Sequence, residues 1–176
     1  DDAQSAEALL SAADHTMFHA KGAGRNNVQF YADLMHSKAM DREHVALQSR
    51  LNAVIQSSGL SVFFQPVVDP ECNRVLSVEA LVRWYDDRLG WVSPDIFVPL
   101  AEKLGVISEM GEQVLEQTLQ YIRSWRHAGL MQPVAVNLSR AQLFAHGFVD
   151  RLVAMLERHH LQPADLILEI TESVAL

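Results

Sequence analysis

The sequence predicts an α/β fold, a largely parallel, barrel-type sheet wrapped by helices and opened by one antiparallel strand. Three observations predict it. Apolar, strand-like runs follow one another from residue 61, SVFFQPVVD, RVLSVEALVRW, PVAVNLS and DLILEITES, and helical stretches separate the later ones. The first two runs are joined only by the turn-like DPECNR, too short for a parallel crossover, so they should pair as an antiparallel hairpin. Within VLSVEALVRW the alternation is strict: Val75, Ser77, Glu79, Leu81 and Arg83 share one face, and Leu76, Val78, Ala80, Val82 and Trp84 the other. One wholly apolar face backed by one bearing ionisable groups suits a barrel strand, packed outside against helices and lined inside with functional groups.

Taken in order, residues 1 to about 20 read as an amphipathic helix in which Ala6, Leu9, Leu10 and Ala13 recur at three- and four-residue spacing. Glu7 is then a solvated helix-face carboxylate. KGAGRNNVQFY reads as a loop leading into a strand, which makes residues 1–32 the expected tail of a domain that begins upstream. Residues 33–58 turn to polar helix formers with a partial apolar stripe, a helical linker. The strands then begin, so that 59–176 form the third segment. PDIFVPLAEKLG opens with Pro94 as a helix start should, and ISEMGEQVLEQTLQYIRSWRHAG is a long amphipathic helix closed by Gly129, with basic residues in its last turns. AQLFAHGFVDRLVAMLERHHL is a further helical stretch that stops before Pro163.

Composition limits what the chain does. Its 176 residues, 49% of them apolar, are enough for a sizeable core. A formal charge of −8 argues against broad binding to polymeric nucleic acid, which relies on a basic surface. No apolar stretch approaches the roughly 18 residues of a membrane span, and a cytoplasmic location is expected, with an anchor upstream of the segment left open. The single cysteine, Cys72, cannot form an internal disulfide.

The strand runs carry polar residues that a barrel would bring to one mouth: Gln65, Glu79 with Arg83, Asn137, and Glu169 with Glu172. Two carboxylates and an amide oxygen from neighbouring strands form a hard, all-oxygen set that suits Mg²⁺ or Mn²⁺ better than zinc. Two such ions about 4 Å apart lower the pKa of a bridging water to roughly 7. Any one of these residues alone is more often a satisfied polar group or a helix cap than a metal ligand. His15 and His19 stand one helical turn apart but lack a third ligand and read as helix surface, and His159 and His160 read as partners of a helix dipole. Phe63, Phe64, Trp84, Phe97 and Trp125 fall at core spacings, whereas Trp91 falls in a loop.

VEALVRW, VNLS and LEITES in this order, with FFQPVV before them and SPDIFVPLAEKLGVI between the first two, closely resemble the EAL family of cyclic di-GMP phosphodiesterases from about Ser61 to Leu176. The resemblance implies a TIM-type (β/α)8 barrel whose first strand is antiparallel, of which this chain holds the first half. It implies Glu79, Asn137 and Glu169 as metal ligands and Glu172 as the glutamate that holds a loop near the metals. Gln65, Leu81 and Arg83 match positions that contact cyclic di-GMP. The implied cofactor is Mg²⁺ or Mn²⁺, two ions in the complete site, and the implied assembly is a homodimer. The expected reaction opens one phosphodiester bond to give the linear dinucleotide. The family's adjacent aspartates, its lysine and a further metal-binding glutamate have no counterpart within these residues, so this chain alone is expected to be inactive.

SAEALLSAADHTMFHAKGAGRNNVQFY in turn resembles the C-terminal end of a GGDEF (diguanylate cyclase) domain, with Lys21 and Arg25 at its phosphate-contacting positions. Together these imply a tandem GGDEF–EAL signalling protein. The alternative is a catalytically silent cyclic di-GMP receptor or protein-interaction module. A further departure from the family pattern is Asp86-Asp87, one residue beyond the tryptophan, where the family often has His-Pro.

Overall fold

The computed structural model describes residues 5–22 and 30–170, with the backbone alone at 15, 18, 19, 22, 33–42 and 44. Asp1–Ser49 and Arg50–Leu176 form two compact units. In the first, helix α1 (Ala6–Gly22) starts where Ser5 Oγ accepts the Ala8 N–H at 3.2 Å, satisfying one of the free donors of a helix start. Ala12 is buried, while Leu9, Leu10 and Met17 remain exposed. Helix α2 (Tyr31–Gln56) contains neither glycine nor proline and runs through 26 residues. The strand expected at VQFY is not formed at its end: Phe30 lies outside any strand and Tyr31 opens α2. Arg25 lies outside the described residues, as do the side chains of His15 and His19, whereas Lys21 is exposed near the end of α1.

The second unit opens with the hairpin. Strands β1 (Ser61–Asp69) and β2 (Arg74–Asp86) pair antiparallel, with Gln65 opposite Glu79, Phe63 opposite Leu81 and Ser61 opposite Arg83. Asp69 Oδ1 accepts the Glu71 N–H at 2.9 Å, and Asn73 takes the left-handed conformation (φ 51°) that asparagine tolerates better than most residues. Strand β2 continues past Trp84 to a second, unforeseen turn. There strand β3 (Gly90–Val92) folds back on it, pairing Tyr85 with Trp91. Asp86 Oδ1 accepts the N–H groups of Arg88 and Leu89 at 2.9 and 3.0 Å, and Gly90 supplies the positive φ of 72°.

From there strand and helix alternate. Helix α3 (Pro94–Leu104) ends at Gly105 (φ 74°), whose N–H and that of Val106 return to carbonyls of its last turn. Helix α4 (Ile107–His127) follows, then β4 (Val134–Leu138), parallel to β2, and β5 (Leu166–Ile170), parallel to β4. Among the described residues the sheet order is β1-β2-β4-β5, with β3 on β2. The antiparallel hairpin and the parallel remainder are the arrangement expected of the first half of such a barrel. The single helical stretch expected over 141–161 is two helices, α5 (Arg140–Leu143) and α6 (Phe148–Arg158), separated at Gly147 (φ 69°).

One layer of apolar side chains joins sheet to helices. Ala80, Val134, Val136 and Leu138 from the outer face of the sheet meet Val114, Leu115, Leu119 and Ile122 of α4 and Phe148, Met155 and Leu156 of α6. Leu119, Ile122 and Val134 are wholly enclosed, each contributing about 1.5–3 kcal/mol relative to an exposed side chain. Gln113 and Gln117 of α4 donate to the carbonyls of Ile55 and Leu60, holding the entry to β1 against the helix. At the other end Arg126 donates through Nε to Asp165 Oδ1 at 2.8 Å and through its terminal nitrogens to the carbonyls of Leu130 and Gln132.

Candidate functional site

The alternation in β2 settles which residues reach the inner face. Ala80 and Trp84 are buried beneath the helices, and Glu79, Leu81 and Arg83 are half-buried on the opposite side. Because Gln65 is paired with Glu79, and Asn137 with Glu169, a polar row crosses β1, β2, β4 and β5 on that side. Glu79 is in register with Ala135, so Asn137 stands two residues further along β4, again on the inner face. Its Nδ2 donates to Glu79 Oε1 at 2.8 Å. Glu79 lies near the middle of the thirteen-residue β2, not toward its end as the sequence suggested, because β2 runs on into the β3 turn.

The three expected ligands therefore come from consecutive strands of the sheet, and two of them touch. Glu79 and Glu169 lie two strand spacings apart across the sheet and two residues apart along it, roughly 11–12 Å between backbones, so a shared cation requires both carboxylates to lean toward Asn137. Glu169 is exposed on the inner face, free to do so, and the half-buried Glu79 already accepts from Asn137. This all-oxygen donor set fits part of the shell of a hard divalent ion. It is not a complete shell, since no group of three or more His, Cys, Asp or Glu side chains gathers among the described residues. Glu172 lies outside them.

Toward the C-terminal end of β2 the same face becomes aromatic. The Arg83 guanidinium lies 5.9 Å from the Phe63 ring centroid while Nη1 donates to the Val82 carbonyl at 2.9 Å. Phe63 packs edge-on to Trp91 (5.5 Å between centroids), and Tyr85 does the same (5.3 Å). Phe63, at 48% exposure, is thus not a core residue, because it points to the open side of the sheet. Trp91 belongs to β3 instead of a loop. Phe64, Trp84 and Phe97 do pack inward, Phe64 against Trp125 and Trp84 against Phe97.

A cleft of about 470 Å³ at the ends of β2 and β4 is lined by Leu81, Arg83, Asn137, Ser139 and Gln142 together with residues of α3 and α4. A larger hollow of about 940 Å³ lies between α4 and α6. Two of its carboxylates are already engaged: Glu112 with Arg151 at 2.7 Å, and Glu116 with Arg158 at 3.2 Å and His159 at 2.8 Å. The smaller cleft meets the polar row at Asn137. His159, expected at a helix dipole, does stand at the C-terminal cap of α6, is 4% exposed and also forms a cross-helix pair with Glu116. Burial raises the Glu116 pKa, but hydrogen bonding and charge from His159, with Arg158 and Gln120 behind them, outweigh it and leave the carboxyl below its ordinary value.

Two residues carry structural weight that the sequence did not show. Asp86, noted there only as a departure from the family pattern, also accepts from Arg50 Nη1 at 2.6 Å, tying the last turns of α2 to the β2–β3 turn. Burial pushes its pKa up, and the N–H groups of Arg88 and Leu89 with the Arg50 guanidinium bring it below the usual aspartate value. Gln142 is buried at the exit of β4, where Ser139-x-x-Gln142 carries an S-x-x-Q cap signature.

Residues 47–176 match the profile of the EAL domain family. Among curated proteins, the chain is 40% identical over 177 residues to the bifunctional diguanylate cyclase/cyclic di-GMP phosphodiesterase MucR of Pseudomonas aeruginosa, covering 99% of this chain and 25% of that protein. It is 30% identical to the oxygen sensor protein DosP of Escherichia coli, over 96% of this chain and 21% of that one. The chain thus spans about a quarter of the length of these relatives. A solved structure of the PaMucR phosphodiesterase in complex with c-di-GMP superimposes with a TM-score of 0.67 at 38% identity, covering 72% of this chain and 53% of that one. The EAL enzyme Bd1971 in its cGMP-bound form shares the fold at a TM-score of 0.70 and 23% identity, over 82% of this chain and 41% of its own. With the profile matching well over half its length, on a sheet that carries VEALVRW and VNLS side by side, the chain belongs to the EAL domain family.

Proposed function

We propose that this chain supplies the first half of a metal-dependent cyclic di-GMP phosphodiesterase site within a tandem GGDEF–EAL protein, hydrolysing the cyclic dinucleotide to its linear form. The observation that carries the reading is the Asn137–Glu79 hydrogen bond at 2.8 Å with Glu169 in register beside Asn137. Similarity to relatives described as cyclic di-GMP phosphodiesterases supports the substrate.

Glu79, Asn137 and Glu169 would hold Mg²⁺ or Mn²⁺, with Glu172 supporting a nearby loop. The bound ion would lower the pKa of a coordinated water and draw charge from a phosphoryl oxygen. Arg83, half-buried at the rim, offers a forked donor to the phosphate, and Leu81 an apolar surface to the ligand. Gln65, paired with Glu79 across the hairpin, offers an amide to the same ligand. Water attacks phosphorus and gives up a proton as the bond to the leaving ribose oxygen breaks, and that oxygen takes up a proton, so that the water's hydrogen and hydroxyl are shared between the two products.

The test is hydrolysis of cyclic di-GMP, followed by chromatography, in the barrel-length protein that carries these residues, with and without Mg²⁺. Linear dinucleotide should form only with the cation, and Glu79→Gln should lower the rate at least about 100-fold, beyond the effect typical of a residue that only supports a ligand. Tight binding of cyclic di-GMP without turnover would replace the enzyme by a receptor.

A further inference from the structure

Asn137 stands two residues before a structural feature larger than the local fold requires. Ser139 takes an extended conformation (φ −77°, ψ 157°), and its Oγ accepts the Gln142 N–H at 3.3 Å while Gln142 Oε1 accepts the Ser139 N–H at 3.1 Å. This reciprocal capping box opens a helix of only four residues, where stabilising the helix itself gains little. The Gln142 side chain is 5% exposed, a buried amide whose desolvation is offset by the bond to Ser139. It lies across Gly111 of α4. A Cβ at Gly111 would stand 1.6 Å from Gln142 Nε2 and 2.5 Å from its Cδ, so no residue but glycine permits this approach. Gly111 has an ordinary helical backbone, and therefore the reason for glycine there is space for the amide, not conformation.

We propose that Gln142, seated on Gly111 and closed onto Ser139, is a positioning residue for Asn137. The box fixes the backbone at the exit of β4, α4 anchors the box, and the Asn137 amide is thereby held within 2.8 Å of Glu79. Without it the strand exit could swing and the amide oxygen would have to be ordered at the moment a cation binds, which weakens binding. This inference rests on the reading of Asn137 as a ligand.

The experiment uses this chain, labelled with ¹⁵N, and two readouts: the Asn137 side-chain amide resonances without metal, and the apparent affinity for Mn²⁺ alone from water-proton relaxation. Gln142→Met keeps the volume but removes the acceptor, and Gln142→Glu restores the acceptor. Gln142→Met should shift the Asn137 amide and weaken Mn²⁺ about 10-fold, within the range for groups that orient ligands, and Gln142→Glu should return both toward the wild type. Should Gln142→Met fail to fold by circular dichroism, Ser139→Ala, which leaves the buried amide in place, should show the same shift in smaller degree. An unchanged Asn137 amide and unchanged Mn²⁺ affinity in a folded Gln142→Met or Ser139→Ala variant overturn the proposal. If Mn²⁺ binding in the wild type is indifferent to Glu79→Gln, the reading of the site falls, and the amide shift alone decides whether Gln142 positions Asn137.

Discussion

The tripeptide Glu-Ala-Leu occurs twice in this chain, as Glu7-Ala8-Leu9 in α1 and as Glu79-Ala80-Leu81 in β2. In α1 all three residues are exposed. In β2 the glutamate is half-buried beside Asn137, the alanine lies 3% exposed in the core, and the leucine lines the cleft at the strand ends. Identical residues thus do different work because period 2 sends neighbours to opposite faces of the sheet, whereas a surface helix leaves them all in water. What gives the second copy its chemistry is the strand on either side of it: β1 brings Gln65 opposite Glu79, and β4 brings Asn137.

The sharpest way to break that contrast is to charge the middle residue. Ala80→Asp places a carboxylate in the apolar layer under α4 and should cost about 3–5 kcal/mol, the range for an uncompensated buried charge, measured by urea unfolding. Ala8→Asp should stay within about 0.5 kcal/mol. Next in size, Glu79→Gln should reduce Mn²⁺ affinity about 100-fold by relaxation titration, while Glu7→Gln leaves it unchanged. An equal response from the two glutamates would erase the distinction between the copies.

A smaller effect extends the comparison to the aspartates of the same two elements. Asp86 ends β2 with three hydrogen bonds, whereas Asp14 is exposed on α1. Asp86→Asn should cost about 1–3 kcal/mol, as for hydrogen bonds to a charged group, and Asp14→Asn within about 0.5 kcal/mol. The Asp86 pKa is lowered in the folded protein, so the unfolded chain takes up its proton first as pH falls. Its contribution is therefore full above the ordinary aspartate value of about 3.9 and is lost as pH drops through the lower folded value. The gap between the wild type and Asp86→Asn should close below about pH 4 in thermal melts. A gap that persists there would mean that the carboxylate's charge is not what Arg50 and the turn N–H groups hold.

The hairpin was legible because six residues cannot make a parallel crossover, and the two faces of β2 were legible because its alternation is unbroken over ten residues. Asn137 beside Glu79 followed from motif order, though spacing could not say that the two would touch. Strand β3 was hidden because GWV is too short to show a period. The break between α5 and α6 was hidden because FAHG carries apolar residues in helical spacing, and only Gly147 at positive φ marks it. His159 faces Glu116, a partner 43 positions away that no local pattern specifies. The exposure of Phe63 depends on which face of β1 the helices leave open, a property of the assembled sheet and not of the strand.

The most direct test of the site is diffraction from crystals of this chain grown with Mn²⁺, using anomalous scattering to locate the ion. The account predicts one peak within coordination distance of oxygens from Glu79, Asn137 and Glu169, absent from Glu79→Gln crystals. Mn²⁺ bound elsewhere, or Glu169 turned away from an ion that the other two hold, would contradict it.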